Sequence, residues 1–195
     1  INSIIRKQNQ MLKIAITGSL SSGKSTVSKI ISKKRYPVFD ADAQVKNFYK
    51  DNNNIKAIRN KFRIKGNKNI KVLIKEKLQK KLIKLKDIEK MIHPYVRKNM
   101  RKFVKKNTNK NVLVFEIPLL VESKLTKFFD ITIFVHSSKK VRIKRFIKKG
   151  GDYKIFSLLD KRQMDYKIKS KFCQHVIVNN SSINVLKRKV YNIIE

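Results

Sequence analysis

A single cysteine, Cys173, among 195 residues leaves no internal disulfide to brace the fold, so stability must come from a packed core. The absence of thiol pairs suits a reducing compartment, and a cytoplasmic location is the default expectation. With five glycines and three prolines, no Pro/Gly/Ser-rich linker divides the chain. No fixed-period repeat is present either. One compact domain carrying a small insertion is therefore expected. No apolar run reaches the length of a bilayer span, so no membrane association is expected. The three histidines, His93, His136 and His175, stand far apart and show no zinc-ligand spacing. Acids are the scarcest chemistry: 13 Asp+Glu face 49 Lys+Arg, for a net charge of +36.

That charge suggests two causes. A nucleic-acid binder would carry such an excess, since basic patches attract polyphosphate non-specifically. Yet 39 of the cations are Lys and 10 are Arg, spread along the whole chain. A DNA- or RNA-reading surface would favour the bidentate fork of Arg. Lys, Asn and Ile share A/T-rich codons, so biased composition is the simpler account. No specific nucleic-acid partner is expected. The field would still draw in anionic small molecules.

Residues 18–25 read GSLSSGKS and fit the phosphate-binding pattern G-x-x-x-x-G-K-[ST]. The flanks supply the right context. LKIAIT before it is an apolar run of strand length, and STVSKIISKK after it has helical spacing with Val27, Ile30 and Ile31 on one side. Loop N–H groups and a helix N-terminus would converge there on an anion. Gly18, Ser21, Ser22, Gly23, Lys24, Ser25 and Thr26 are the expected nucleotide contacts. Lys24 would neutralise the outer phosphates and the Ser25 hydroxyl would hold Mg²⁺. A bound nucleotide is the implication.

Four further strands follow: Tyr36 to Asp42, Val112 to Phe115, Ile131 to Val135, and the run CQHVIVNN. Between the second and third lies a Lys-rich helical stretch, residues 43–110. Its expected apolar positions are Ile70, Val72, Leu73, Leu78, Leu82, Ile83, Ile88 and Ile92, and its turns are Asn52 to Asn54 and Gly66 to Asn69. The other expected elements are a basic helix from Ser137–Ser138 to about Lys149, a Gly150-Gly151 break, a helix over roughly Tyr153 to Met164 and a closing helix over Ile183 to Ile194. Strands alternating with helices imply an α/β, three-layer α/β/α fold with a parallel five-stranded sheet. The ligand would lie beyond the strands' carboxyl ends, where Asp40, Asp42 and Glu116 stand.

No N-K-x-D guanine element follows the late strands. The D-A-D at Asp40–Asp42 puts carboxylates at the end of the second strand. Arg142 and Arg145 lie one turn apart before the Gly-Gly hinge, as in a mobile lid whose arginines stabilise a transferring phosphoryl group. The helical stretch suits an acceptor-binding insertion, and residues of about 139–170 suit a small lid. Together these favour a small-molecule kinase.

These residues carry a family resemblance. From Leu12 almost to the end the chain resembles dephospho-coenzyme A kinases. ITGSLSSGKSTV is similar to that family's I-T-G-G-I-G-S-G-K-S-T-V, and PVFDAD to its P-V-I-D-A-D. IHPYVRKNM resembles its L-H-P-x-[IV]-R-x-x-[MW], FEIPLLVESKL its D-x-P-L-L-[FV]-E-x-x-L, and RQM…HVIVNN its Q-M…D-x-[VI]-I-x-N. The departures are Ser19 and Ser21 for loop glycines, Lys46 for Arg or His, Glu116 for Asp, and Gln174 and His175 for acidic residues.

The resemblance implies transfer of the ATP γ-phosphoryl group to the ribose 3′-hydroxyl of dephospho-coenzyme A. Asp42 is then the general base, with helix N-capping its alternative role. Asp40 supports it or holds a Mg²⁺ water. Arg145 is the first candidate for the lid arginine and Arg162 the second. His93 is read as an acceptor-pocket or helix-start residue, and Pro118 to Glu122 as shaping the acceptor site, with Glu122 either binding the substrate or bracing the site. Asp40, His93, Pro118 and Glu122 are the expected substrate contacts. Cys173 is read as a small core residue. Asn179 and Asn180 either meet the adenine or cap a helix. Residues 1–11 are expected to be a leader or frayed tail before a natural start at Met11, and INSII is too short for a signal-peptide core. A monomer is expected. The alternatives are another nucleoside, nucleotide or small-molecule kinase, and a basic nucleic-acid-associated NTPase.

Overall fold

The computed structural model describes residues 11–33, 35–66, 68–161 and 163–194. The expectations placed on residues 1–10 and on Arg162 fall outside them. The chain divides into two compact units, one formed by residues 1–40 and 107–195 and the other by residues 41–106.

The first unit is built on a parallel sheet, five-stranded among the described residues, in the order β2-β3-β1-β4-β5. Its strands are β1 (Leu12–Gly18), β2 (Val38–Asp40), β3 (Val112–Glu116), β4 (Ile131–His136) and β5 (His175–Val178). The three central strands are continuous β-branched and aliphatic runs rather than alternating ones. That pattern follows from burial on both faces. Ile14, Ile16, Val112, Val114, Ile133 and Val135 are buried together in one core. Each such side chain contributes about 1.5–3 kcal/mol on leaving water. The edge strands are shorter and keep Val38, Val176 and Val178 exposed. Helix α1 (Lys24–Ser32) packs Val27, Ile30 and Ile31 into the same core.

The second unit is helical: α2 (Ala41–Phe48), α3 (Asn52–Phe62), α4 (Ile70–Gln79) and α5 (Leu85–Lys106). Phe48, Ile58, Ile64, Ile70, Ile74, Ile88 and Ile92 form its own core. The expected apolar positions Val72 and Leu82 are not part of that buried set, with 46% and 64% of their surface exposed. Asn52 to Asn54 form the first turn of α3 rather than a loop. The reason is Asp51, whose side chain accepts from the Asn54 N–H and caps the helix.

The remaining helices belong to the first unit: α6 (Lys139–Lys148), α7 (Tyr153–Asp160), α8 (Tyr166–Ser170) and α9 (Ile183–Ile194). The closing helix has the bounds expected from sequence. The second strand does not run from Tyr36 to Asp42; it ends at Asp40, and Asp42 sits in the first turn of α2. Helix α7 stops at Asp160, four residues before the expected Met164. Aspartate is a poor helix continuer, and this one is paired with Arg142.

Candidate active site

Strand β1 ends in the loop Gly18 to Gly23, and α1 starts directly after it at Lys24. Two glycines are dictated by space. A Cβ on Gly18 would drive into the Val135 carbonyl of neighbouring β4, and one on Gly23 into the Asn179 side-chain amide. Gly23 also takes φ 101° as the N-cap of α1 and offers no side-chain acceptor to the first helical N–H groups. Ser21 stands at φ 56°, a left-handed position that a glycine would fill without strain. Its neighbour Ser22 is buried, with a hydroxyl that has no hydrogen-bond partner among the described residues.

Lys24 turns its ammonium back over the start of the loop, donating to the carbonyls of Ser19 (3.1 Å) and Gly18 (3.3 Å). Ser25 Oγ donates to Glu116 Oε1 at 2.7 Å. Glu116 is the last residue of β3, in register with Ile16 of β1 on one side and Asp40 of β2 on the other. Three strand ends thus bring Asp40, Glu116 and the loop to one edge of the sheet. Thr26 lies exposed in the first turn of α1, its N–H bonded to the Gly23 carbonyl at 3.0 Å.

The back of the loop is held from β4, β5 and α6. The Ser22 carbonyl accepts from Asn179 Nδ2 (2.8 Å) and from Arg145 Nη1 (3.2 Å). Arg145 also donates to Ser137 Oγ at 3.0 Å, and that hydroxyl donates to the Asn179 carbonyl at 2.6 Å. Asn180 Oδ1 accepts from the Ser138 N–H. Both asparagines therefore stitch the end of β5 to its neighbours. A cavity of about 460 Å³ opens beside the loop, walled by Gly23, Thr26, Arg145, Lys148, Asn179 and Ile183. Arg142 is spent differently from Arg145. Its buried guanidinium pairs with Asp160 and Nε donates to the Ser137 carbonyl, contacts that tie α6 to the end of α7.

Pro118 and Glu122 are joined by a residue that sequence reasoning missed. Lys169, 1% exposed, donates to the Pro118 carbonyl (2.6 Å) and to Glu122 Oε1 (2.9 Å). Thr17 Oγ1 donates to the same Pro118 carbonyl at 3.0 Å. The second Glu122 oxygen is buried with no hydrogen-bond partner among the described residues. Cys173, close to this pair, is half-buried and not in the core. Burial pushes its thiol up to about 11, against the lowering effect of Lys169. His136, at the end of β4, stacks on Tyr166 with ring centres 4.3 Å apart. Its Nδ1 is buried without a partner among the described residues, and burial, then Arg142, hold the imidazole below its usual range.

Asp42 and His93 belong to the helical unit. Asp42 is exposed in the first turn of α2. His93 lies inside the long helix α5, beside Pro94, and not at a helix start. Glu116 stands at the ligand end of its strand as expected, without a role assigned from sequence, while Ser137, Asp160, Gln163 and Lys169 were given no part in the site.

A phosphate loop between a central parallel strand and a helix, backed by basic side chains, defines a P-loop kinase fold. The comparisons agree with that class. A Thermus thermophilus protein, TT1252, superposes with a TM-score of 0.80 at 25% identity, covering 95% of this chain and 97% of that one. A dephospho-CoA kinase from Campylobacter jejuni shares the fold, with a TM-score of 0.62 at 20% identity over 93% of this chain and 94% of its own. The family model for dephospho-CoA kinase matches residues 12–184, and the chain belongs to that family. A dephospho-CoA kinase of Zymomonas mobilis is 33% identical over 118 residues, 58% of this chain. The match spans 59% of that relative's own length.

Proposed function

We propose that this protein transfers the γ-phosphoryl group of ATP to the ribose 3′-hydroxyl of dephospho-coenzyme A, giving coenzyme A, the last step of coenzyme A synthesis. The match of the dephospho-CoA kinase family model to residues 12–184 carries this reading. Membership of a kinase family makes ATP the donor. The intact phosphate loop with Lys24 and Ser25 supports it.

The acceptor oxygen attacks the γ-phosphorus, the bond to the β–γ bridging oxygen breaks, and ADP leaves. Asp42 takes or orients the hydroxyl proton. Lys24 and the loop amides of Ser21 to Thr26 offset the phosphate charge. Arg145, held on Ser22, contributes a positive charge beside the loop. Asp40 supports the carboxylate end of the site. The helical insertion, residues 43–110, supplies the acceptor pocket with His93. Pro118 to Glu122 also shape the acceptor site, with Lys169 holding the Pro118 carbonyl and Glu122 Oε1.

Magnesium fits the donors present. The Ser25 hydroxyl and the Glu116 carboxylate lie together, and no group of three or more His, Cys, Asp or Glu side chains stands ready for a metal among the described residues. That is the habit of Mg²⁺, which keeps waters and phosphate oxygens and takes few protein ligands. When bound it neutralises charge on the phosphates. The residues of about 139–170 act as a lid. Among the described residues, no helix is long and apolar enough to cross a membrane.

The direct test incubates the full chain with ATP, Mg²⁺ and an acceptor panel of dephospho-coenzyme A, nucleosides and shikimate. ADP and coenzyme A should form with the first alone. Asp42→Asn should keep nucleotide binding and lose about 10²- to 10⁴-fold in turnover. Lys24→Ala should lose both binding and rate.

A further inference from the structure

Leu20, in the middle of the phosphate loop, has both of its backbone groups met by one side of the molecule. Its N–H donates to Gln163 Oε1 at 2.9 Å, and its carbonyl lies 3.5 Å from Arg142 Nη1. Arg142 is fixed by Asp160 and by the Ser137 carbonyl. Gln163 in turn donates its own N–H to the Asp160 carbonyl at 3.2 Å. Both partners of Leu20 thus come from the corner where α6 and the end of α7 meet. Ser19, Arg142, Asp160, Gln163 and Tyr166 wall a cavity of about 260 Å³ there. The reaction described above assigns no role to Leu20 or to Gln163.

The place of Leu20 in the loop decides what the contact can do. The Lys24 ammonium, which neutralises outer phosphates, rests against the carbonyls of Gly18 and Ser19. Leu20 follows them directly, whereas Ser22 and Gly23 lead into the helix start that faces the inner phosphates. The Leu20 N–H therefore belongs to the outer end of the loop. The next residue, Ser21, sits at φ 56°, so the peptide between them does not hold its shape unaided.

We propose that Gln163 is a positioning residue for the phosphate loop: its side-chain carbonyl on the Leu20 N–H fixes the outer half of the loop. The grip on the terminal phosphate of a nucleoside triphosphate depends on that contact. An amide suits the place because it offers a neutral acceptor. A carboxylate there would hold the same N–H but bring negative charge beside the terminal phosphate. This rests on the nucleotide half of the proposed function and not on the acceptor, so the test reads nucleotide binding with no acceptor present.

Calorimetric titration of the full chain with ADP and with a non-hydrolysable ATP analogue, alongside thermal melts, separates the outcomes. Gln163→Met should weaken the triphosphate about fivefold, the worth of one hydrogen bond, and the diphosphate less than twofold. Gln163→Glu keeps the acceptor and should melt like the wild type. It should lose more triphosphate affinity than Gln163→Met and still hold ADP. Equal losses for both nucleotides, or no loss for either in a folded variant, would overturn the proposal and leave Gln163 a packing residue. A wild-type chain that binds the triphosphate but phosphorylates another acceptor refutes the acceptor assignment alone.

Discussion

Ser25 and Glu116, 91 residues apart in sequence, share a 2.7 Å hydrogen bond between hydroxyl and carboxylate. The bond ties the first turn of α1 to the end of β3. Family resemblance leads one to expect an aspartate there, and the glutamate in its place carries its carboxylate to the serine oxygen.

Removing that charge tests the assignment of magnesium. Glu116→Gln keeps a hydrogen-bonding oxygen but loses the anion that would orient the metal's shell. The Mg²⁺ concentration giving half-maximal rate should rise about 10- to 100-fold. ADP binding without metal should be unchanged. A magnesium titration of turnover reads both.

Ser21 gives a prediction about strain. At φ 56° a serine is tolerated and a β-branched residue is not. Ser21→Gly relieves about 1 kcal/mol of backbone strain but frees the unfolded chain by nearly as much, so its melting temperature should match or slightly exceed the wild type. Ser21→Val should fall below the glycine variant by more than about 1 kcal/mol in denaturant melts. ATP affinity should fall with it.

Lys169 stabilises by pairing. Lys169→Met leaves the largely buried Glu122 carboxylate without its cation and should cost about 3 kcal/mol. The double variant with Glu122→Gln removes the stranded charge. It should recover at least half of that loss in urea unfolding.

His136 makes stability depend on pH. Its imidazole is held below its usual range in the folded chain, so the unfolded chain binds that proton more readily. Stability therefore falls as the medium is acidified through about pH 6.5 and below, and recovers above it. His136→Phe, which keeps the stack on Tyr166, should flatten the slope by up to one proton between about pH 5 and 7.

What the sequence disclosed was local. The run GSLSSGKS with its flanking strand and helix could be read because its chemistry lies within a dozen neighbours. The hydrophobic strands could be read because burial on both faces leaves unbroken apolar runs. Helix α3 was missed at its start, since three asparagines look like a turn until Asp51 caps them. The contacts that shape the loop are long-range: Gln163 reaches Leu20 across 143 positions. Lys169 was hidden for a different reason. Among 39 lysines, nothing in its neighbours marks the one that is buried. The resemblance to a family supplied the activity, and the helical rhythm alone would not have set Arg142 apart from Arg145.

The strand order also dictates when the nucleotide grip can first exist. Strand β1 carries the phosphate loop and lies between β3 and β4, both of which the ribosome delivers after the whole helical insert. The nascent chain must therefore expose the apolar side chains of β1 while residues 41–106, whose contacts are local, acquire helical structure first. ATP can then protect only the finished polypeptide against aggregation or proteolysis, because an emerging one has no partner strands to shape its anion cradle.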